Sequence, residues 1–334
     1  MARSLLTTAT TLILVLMLIS SWTSMPSFAG ETGPDWSHIE TLLETHPDRA
    51  LDLLDKWEAQ PDTVGRVLTL QTRAYTRMKR AKEAIATGKK AISQAPDTAQ
   101  AHLAYANALL LRISKEPMFA MANTGRYLKS LDRAIDLEPT EGEAWIHKAM
   151  FYLEAPAIAG GSKAKAVNIQ EKLAKISEPH AILVQLAILA KEDKTKEQEP
   201  LLERLLVLDP ESSAFAVRYG DYLRRHERHA EAIAVYGPRT AEEPDDWRLL
   251  FGLASARISG RQDVARGVRE MTRYAERKPE YARGPSSASA WVWVGWGHYI
   301  EGDSDRARAA YEKALELDPK HRSAKEKLAE LESN

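Results

Sequence analysis

Residues 291–319 read WVWVGWGHYIEGDSDRARAAYEKALELDP. Two runs of apolar and small residues at helical steps lie on either side of Gly302-Asp303. The first run carries Trp291, Val294, Gly295 and His298, and the second carries Ala307, Tyr311 and Ala314. Pro319 then follows Asp318 and cannot continue a helix. Trp291 and Tyr311 are bulky enough to pack the two helices of a hairpin together. Gly295, Ala307 and Ala314 are small where such helices would cross closely.

The same punctuation recurs upstream. Pro61, Pro96, Pro139, Pro179, Pro210, Pro244, Pro279 and Pro319 each follow a stretch with helical periodicity, at spacings of 35, 43, 40, 31, 34, 35 and 40 residues. A period near 34 marks a helix-turn-helix solenoid, an architecture that usually binds other molecules rather than transforming them. From Trp36 onward apolar residues keep steps of three and four, with no convincing alternating strand. Turn signals stand at Asp62, Asp97, Gly142, Gly237-Pro238, Gly260 and Gly302-Asp303.

The 291–319 stretch resembles the tetratricopeptide repeat, whose pattern is W-x2-L-G-x2-Y, then A-x3-F, A and P. His298 occupies the usual Tyr position, with Tyr299 beside it. Partial matches at the same offsets are Tyr75, Ala84, Ala91 and Pro96, then Trp145 with Tyr152, then Tyr219-Gly220, Ala232, Tyr236 and Pro244. The resemblance implies an all-α, right-handed superhelical solenoid of about eight repeats over residues 35–321, with a capping helix at 322–334.

Residues 1–29 read as a cleaved secretory signal peptide: Arg3 is the only charge before Glu31, Leu12 to Ile19 is an unbroken apolar run, and Ser27-Phe28-Ala29 supplies the small residues of a cleavage site. An uncleaved anchor is the alternative, but the run is short of the ~20 apolar residues a spanning helix needs. Residues 30–34 form a flexible lead. The expected location is therefore periplasmic or secreted, with no integral membrane segment after cleavage. The chain has no cysteine, which excludes disulfides, thiol catalysis, thiolate metal sites and lipid attachment through an N-terminal Cys. Stacked helices over some 300 residues bury enough surface without such staples. The formal charge is −1, or −2 without Arg3, with signs mixed, which argues against a nucleic-acid partner.

Three long spacings set this chain apart. Residues 112–123 hold Pro117-Met118-Phe119-Ala120-Met121, read either as a lengthened helix pair with Met118 and Phe119 plugging a gap or as a ligand-facing flap. Residues 155–162 hold Pro156 and Gly160-Gly161, which force a bent loop that Ser162 can cap, and no phosphate-loop pattern surrounds them. Ala282 to Ser287 form a polar connector and a candidate hinge.

Chemistry-bearing clusters are sparse. His226 and His229 sit three apart, but Arg224, Arg225 and Arg228 crowd them and no third ligand is suggested, so no metal is expected. His298 fits a packed position. Glu242-Glu243 and Asp245-Asp246 fit helix ends at repeat junctions. No cofactor and no catalytic residue is implied, so the chain reads as a non-enzyme.

In this family the first helix of each hairpin lines a concave groove. Once Trp291, Val294 and His298 are assigned to packing, Val292, Trp296 and Tyr299 fall on another face at i, i+4, i+7. The same offsets give Ile146, Met150 and Leu153; Leu183, Ala187 and Ala190; Leu103, Asn107 and Leu110; Thr69, Arg73 and Thr76; and Val217, Asp221 and Arg224. The groove candidates are Trp296, Tyr299, Val292, Met150, Ile146, Leu153, Asn107, Arg73 and Arg224. The stripe is apolar in the middle and at the C-terminal end, with basic mouths. It is either an open groove or core covered by the long insertions. The leading function is a periplasmic scaffold that holds an extended peptide or a segment of an envelope protein. The alternative is a carrier for an apolar small molecule or lipid, which resembles the tetratricopeptide partners of periplasmic solute-binding proteins.

Overall fold

The structure, a computed structural model, describes residues 33–57 and 60–333. The signal peptide read at residues 1–29 lies outside the described residues. From His38 the chain forms one compact unit. Every regular element among the described residues is helical. Hairpins α1 (Trp36–Thr45)/α2 (Pro47–Leu54), α3 (Val64–Arg77)/α4 (Ala81–Gln94), α5 (Ala99–Ile113)/α6 (Pro117–Leu137) and α7 (Gly142–Glu154)/α8 (Lys163–Leu173) come first. Then follow α9 (Glu178–Lys191)/α10 (Glu199–Leu208), α11 (Ser213–Arg225)/α12 (His229–Glu242), α13 (Trp247–Ser259)/α14 (Val264–Arg277) and α15 (Ser287–Ile300)/α16 (Ser304–Leu317). The single helix α17 (Arg322–Ser333) closes the array against α16 and α15.

Local chemistry sets the helix limits. Asp246, Ser286 and Asp303 cap α13, α15 and α16: their side-chain oxygens accept from the backbone N–H groups of Arg248 (2.9 Å), Ser289 (3.1 Å) and Arg306 (3.0 Å). Five first helices end in one motif. Lys79, Asp193, Glu227, Arg261 and Gly302 have positive φ, and the next N–H reaches back across the turn. Examples are Arg228 N to Leu223 O at 3.0 Å and Asp303 N to His298 O at 3.0 Å. This is the Schellman closure, which satisfies carbonyls the helix leaves open. The conformation suits glycine, yet only Gly302 supplies one among these five.

One turn expectation needs correction. Gly237-Pro238 is no turn, because α12 runs through Pro238 to Glu242. Arg239 lies at this end of α12 and pairs with Glu242 and Glu243, and Tyr236 is fully buried one turn earlier. Gly260 stands in a turn as expected, with Arg261 as its left-handed residue; a Cβ on Gly260 would lie 2.5 Å from the His229 side chain, so the glycine serves close approach. Pro179 follows α8 and stands in the first turn of α9, where its missing N–H costs nothing. The Ser162 cap of α8 is present, with Gly160 at φ +95° in the preceding loop.

Packing follows the small–large logic of the repeat. The Tyr236 ring is wedged between α11 and α13, where a Cβ at Gly252 would meet it at 2.5 Å and one at Gly220 would come closer still. Its hydroxyl donates to Asp221 Oδ1 at 2.8 Å. Tyr311 meets Gly295 the same way within the last hairpin. Along one side of the array the first helices pack in a row: α3 on α5, α7 on α9, α11 on α13, α13 on α15. A chamber opens between α5 and α7, beside the 21-residue α6 and the turn Ala157–Ala159.

Candidate functional site

Two recesses lie along the first helices. The N-terminal one, about 870 Å³, is lined by α1, α3 and α5 together with Glu143 and Arg283. Thr69, Arg73, Thr76, Leu103 and Asn107 of the expected stripe all line it. Thr69 and Thr76 donate their hydroxyls to Gly65 O and Thr72 O at 2.8 Å, so each side chain is tied to its own helix. Guanidiniums dominate the wall. Arg66 and Arg73 approach Glu40 at 3.3 and 3.8 Å, and Glu44 holds both Arg77 and, at 3.3 Å, Arg283.

Arg77 is the electrostatic centre. Burial holds its guanidinium below the ordinary arginine range; Arg283 and Arg248 push the same way and Glu44 opposes them. Its Nε is buried without a hydrogen-bond partner. Lys278 is lowered by burial and then by Arg77, and Arg218 by burial and then by Arg248. Cations from α3, α11, α13 and the 278–283 connector therefore crowd one region. The recess itself sets Arg66, Arg73, Arg77, Lys79 and Arg283 against Glu40, Glu44 and Glu143, and such an excess of positive charge favours an anionic visitor.

The second recess, about 990 Å³, is the chamber between α5 and α7. Leu110, Ile113, Ile146, Met150 and Phe151 give it an apolar wall, with Tyr127 of α6 beside them. Tyr127 is fully buried and donates to His147 O at 3.4 Å. His147 lines the chamber too; burial lowers its pKa against the pull of Glu143 and Glu141, and its Nδ1 has no partner. Thr76, Asn107 and Leu111 line both recesses, so the two are adjacent. The Asn107 Oδ1 at this junction is buried and unpartnered.

The expected stripe thus divides. Arg73, Asn107, Ile146 and Met150 come together around the adjacent recesses. Leu153, on α7, packs into the local core near Ala149 and Val184. Val292 and Trp296 pack against the C-terminal core, with Trp296 5.1 Å from the Trp293 ring, and Tyr299 is half-exposed. Arg224 pairs with Asp221 at 3.3 Å and lies 6.0 Å from the Trp293 ring. None of these five lines either recess. Arg77 and Leu111 lay within reach of sequence reasoning, four residues after Arg73 and Asn107 on the same helix faces. Arg283 carried no such signal. His226 and His229 turn to different partners, Tyr222 O at 2.8 Å and Ser259 Oγ at 3.1 Å.

Comparison with known proteins meets this geometry. Family models described as tetratricopeptide repeat match residues 288–321 and 199–236. The chain is a tetratricopeptide-repeat protein. Its fold is similar to that of human IFIT1 solved as a dimer with PPP-AAAA, with a TM-score of 0.56 at 15% identity over 89% of this chain and 71% of that one. Yeast Tom70 aligns with a TM-score of 0.55 at 14% identity, over 86% of this chain and 58% of Tom70. The APC/C hetero-tetramer Cut9-Hcn1 aligns with a TM-score of 0.53 at 13% identity, over 89% of this chain and 55% of that one. The tetratricopeptide-repeat protein thus spans little more than half the chain of the last two. At these identities the likeness is one of fold. The comparison with curated proteins finds no match.

Proposed function

We propose that this tetratricopeptide-repeat scaffold holds an extended segment of a partner protein along its first helices, across the two adjacent recesses. The observation that carries the reading is the junction itself: Thr76, Asn107 and Leu111 border two adjacent recesses of different chemistry. A solenoid presents such a surface without a separate domain, because each repeat contributes one helix to it. The protein acts as an adaptor and not as an enzyme. The signal-peptide reading of residues 1–29 places its partner in the cell envelope, and N-terminal sequencing of the exported protein should begin at Gly30. Likeness to these scaffolds does not favour a small-molecule carrier.

Site-specific photo-crosslinking tests the binding surface. A photoreactive residue at position 107 should capture a defined partner segment, whereas one at the exposed position 129 on α6 should not. Equal capture from both positions would sink the peptide-binding reading.

A further inference from the structure

The two recesses differ so much in chemistry that they constrain what can lie across them. The first offers Arg73, Arg77, Lys79 and Arg283, with Glu44 shared by Arg77 and Arg283. Lys79 stands exposed at its rim, on the left-handed turn after α3. The second offers a mainly apolar wall, broken by Asn107, His147 and Glu154. Both insertions that lengthen the middle repeats border this second recess, Ala120 from one and Pro156 with Ala159 from the other.

These insertions also carry large apolar side chains bared to solvent. Met118 is 86% exposed, Met121 88% and Ile158 98%. The expectation that Met118 plugs a packing gap is therefore wrong: Phe119 packs inward with Arg112 4.1 Å over its ring, while Met118 points out. The helix lengthens as expected, but among the described residues nothing covers the face bearing Met118 and Met121. That face is turned away from the chamber, which the same helix lines with Ala120, Thr124 and Tyr127.

We infer that the two recesses together recognise a bipartite partner segment, with acidic side chains seated at Arg73, Arg77, Lys79 and Arg283 and bulky apolar side chains seated in the chamber between α5 and α7. This rests on the proposed peptide-binding function and specifies its partner. Packed helices lie about 8–10 Å apart. α3 packs on α5 while the chamber holds α7 farther from α5, so α3 to α7 is about 20 Å, which an extended chain spans in about six residues. The acidic and apolar groups should stand at that separation.

The test uses the full chain and fluorescein-labelled synthetic peptides in an anisotropy titration. One peptide carries two aspartates and two leucines separated by six serine and glycine residues, in both chain directions. Controls replace the aspartates by serine, replace the leucines by serine, or scramble the order. The bipartite peptide should bind at least about tenfold more tightly than every control, and its affinity should fall with added salt. Arg73→Glu with Lys79→Glu should abolish the advantage of the aspartates while keeping that of the leucines, and a lysine-bearing peptide should regain affinity for this variant. Met150→Gln, a polar change in the chamber wall at a partly exposed position, should weaken only leucine-bearing peptides. Equal binding of bipartite and scrambled peptides would overturn the inference and leave the peptide-binding function standing. Failure of every peptide to bind, with no capture from position 107, would remove that function as well. Displacement of the bipartite peptide by palmitate at stoichiometric concentration would assign the chamber to a free acyl chain instead.

Discussion

Arg283 Nε lies 3.3 Å from the Glu44 carboxylate, joining the connector before the last hairpin to the first helix of the array. Both side chains are about half exposed, 59% and 47%, so the pair adds little to stability. Its consequence is positional. It sets a cation from the far end of the sequence over the N-terminal recess, beside Arg77 on the same carboxylate. Arg283→Ala should change the unfolding free energy by less than about 1 kcal/mol in urea denaturation, while weakening acidic peptides. A larger loss would show that the contact holds the array together.

The last hairpin offers a sharper stability test. Trp291 and Trp296 are five residues apart, which leaves them about 140° apart around a helix. Trp291 is buried, with Lys313 Nζ 4.0 Å over its ring, and Trp296 is only partly covered. Trp291→Ala should cost about 3–5 kcal/mol, the usual loss for a buried large aromatic. Trp296→Ala should cost clearly less. The reverse order in chemical denaturation would mean that the repeat phase is wrong.

Two regions of the array separate a glycine needed for packing from one that is not. Gly220→Ala drives a methyl group into the fully buried Tyr236 ring and should destabilise by about 1–3 kcal/mol. Gly125 is also helical but has open space around its Cβ direction, so Gly125→Ala should be neutral or stabilising by up to about 1 kcal/mol. Thermal melts of the two variants should move apart. A shared direction would contradict the packing described.

His147 gives a pH signature. Its folded pKa lies below the value of about 6.5 expected in the unfolded chain. Between the two values the unfolded state binds more protons, so this group's contribution is intact above about pH 6.5 and is lost as pH falls below it. His147→Gln should flatten the decline of stability on the acid side of that pH, read from melts across pH 5–8. An unchanged slope would mean that the imidazole is no more buried folded than unfolded.

The sequence by itself determined the repeat. Proline spacing and the Trp291-to-Pro319 pattern are local: each residue acts on its own hairpin, so the periodicity of side-chain size and the loss of a backbone donor are visible without a third dimension. It also put Arg73, Asn107, Ile146 and Met150 on one helical offset, and these line the two recesses. Only tertiary structure decided which stripe residues share a cavity. Leu153, Val292 and Trp296 obey the same offset but meet neighbouring side chains and become packing. Arg283 joins the site because the array brings its connector to Glu44, a contact no local pattern encodes. The exposure of Met118 was equally invisible: helical phase tells which way a side chain points from its own axis, and only the neighbouring helices decide whether anything stands there.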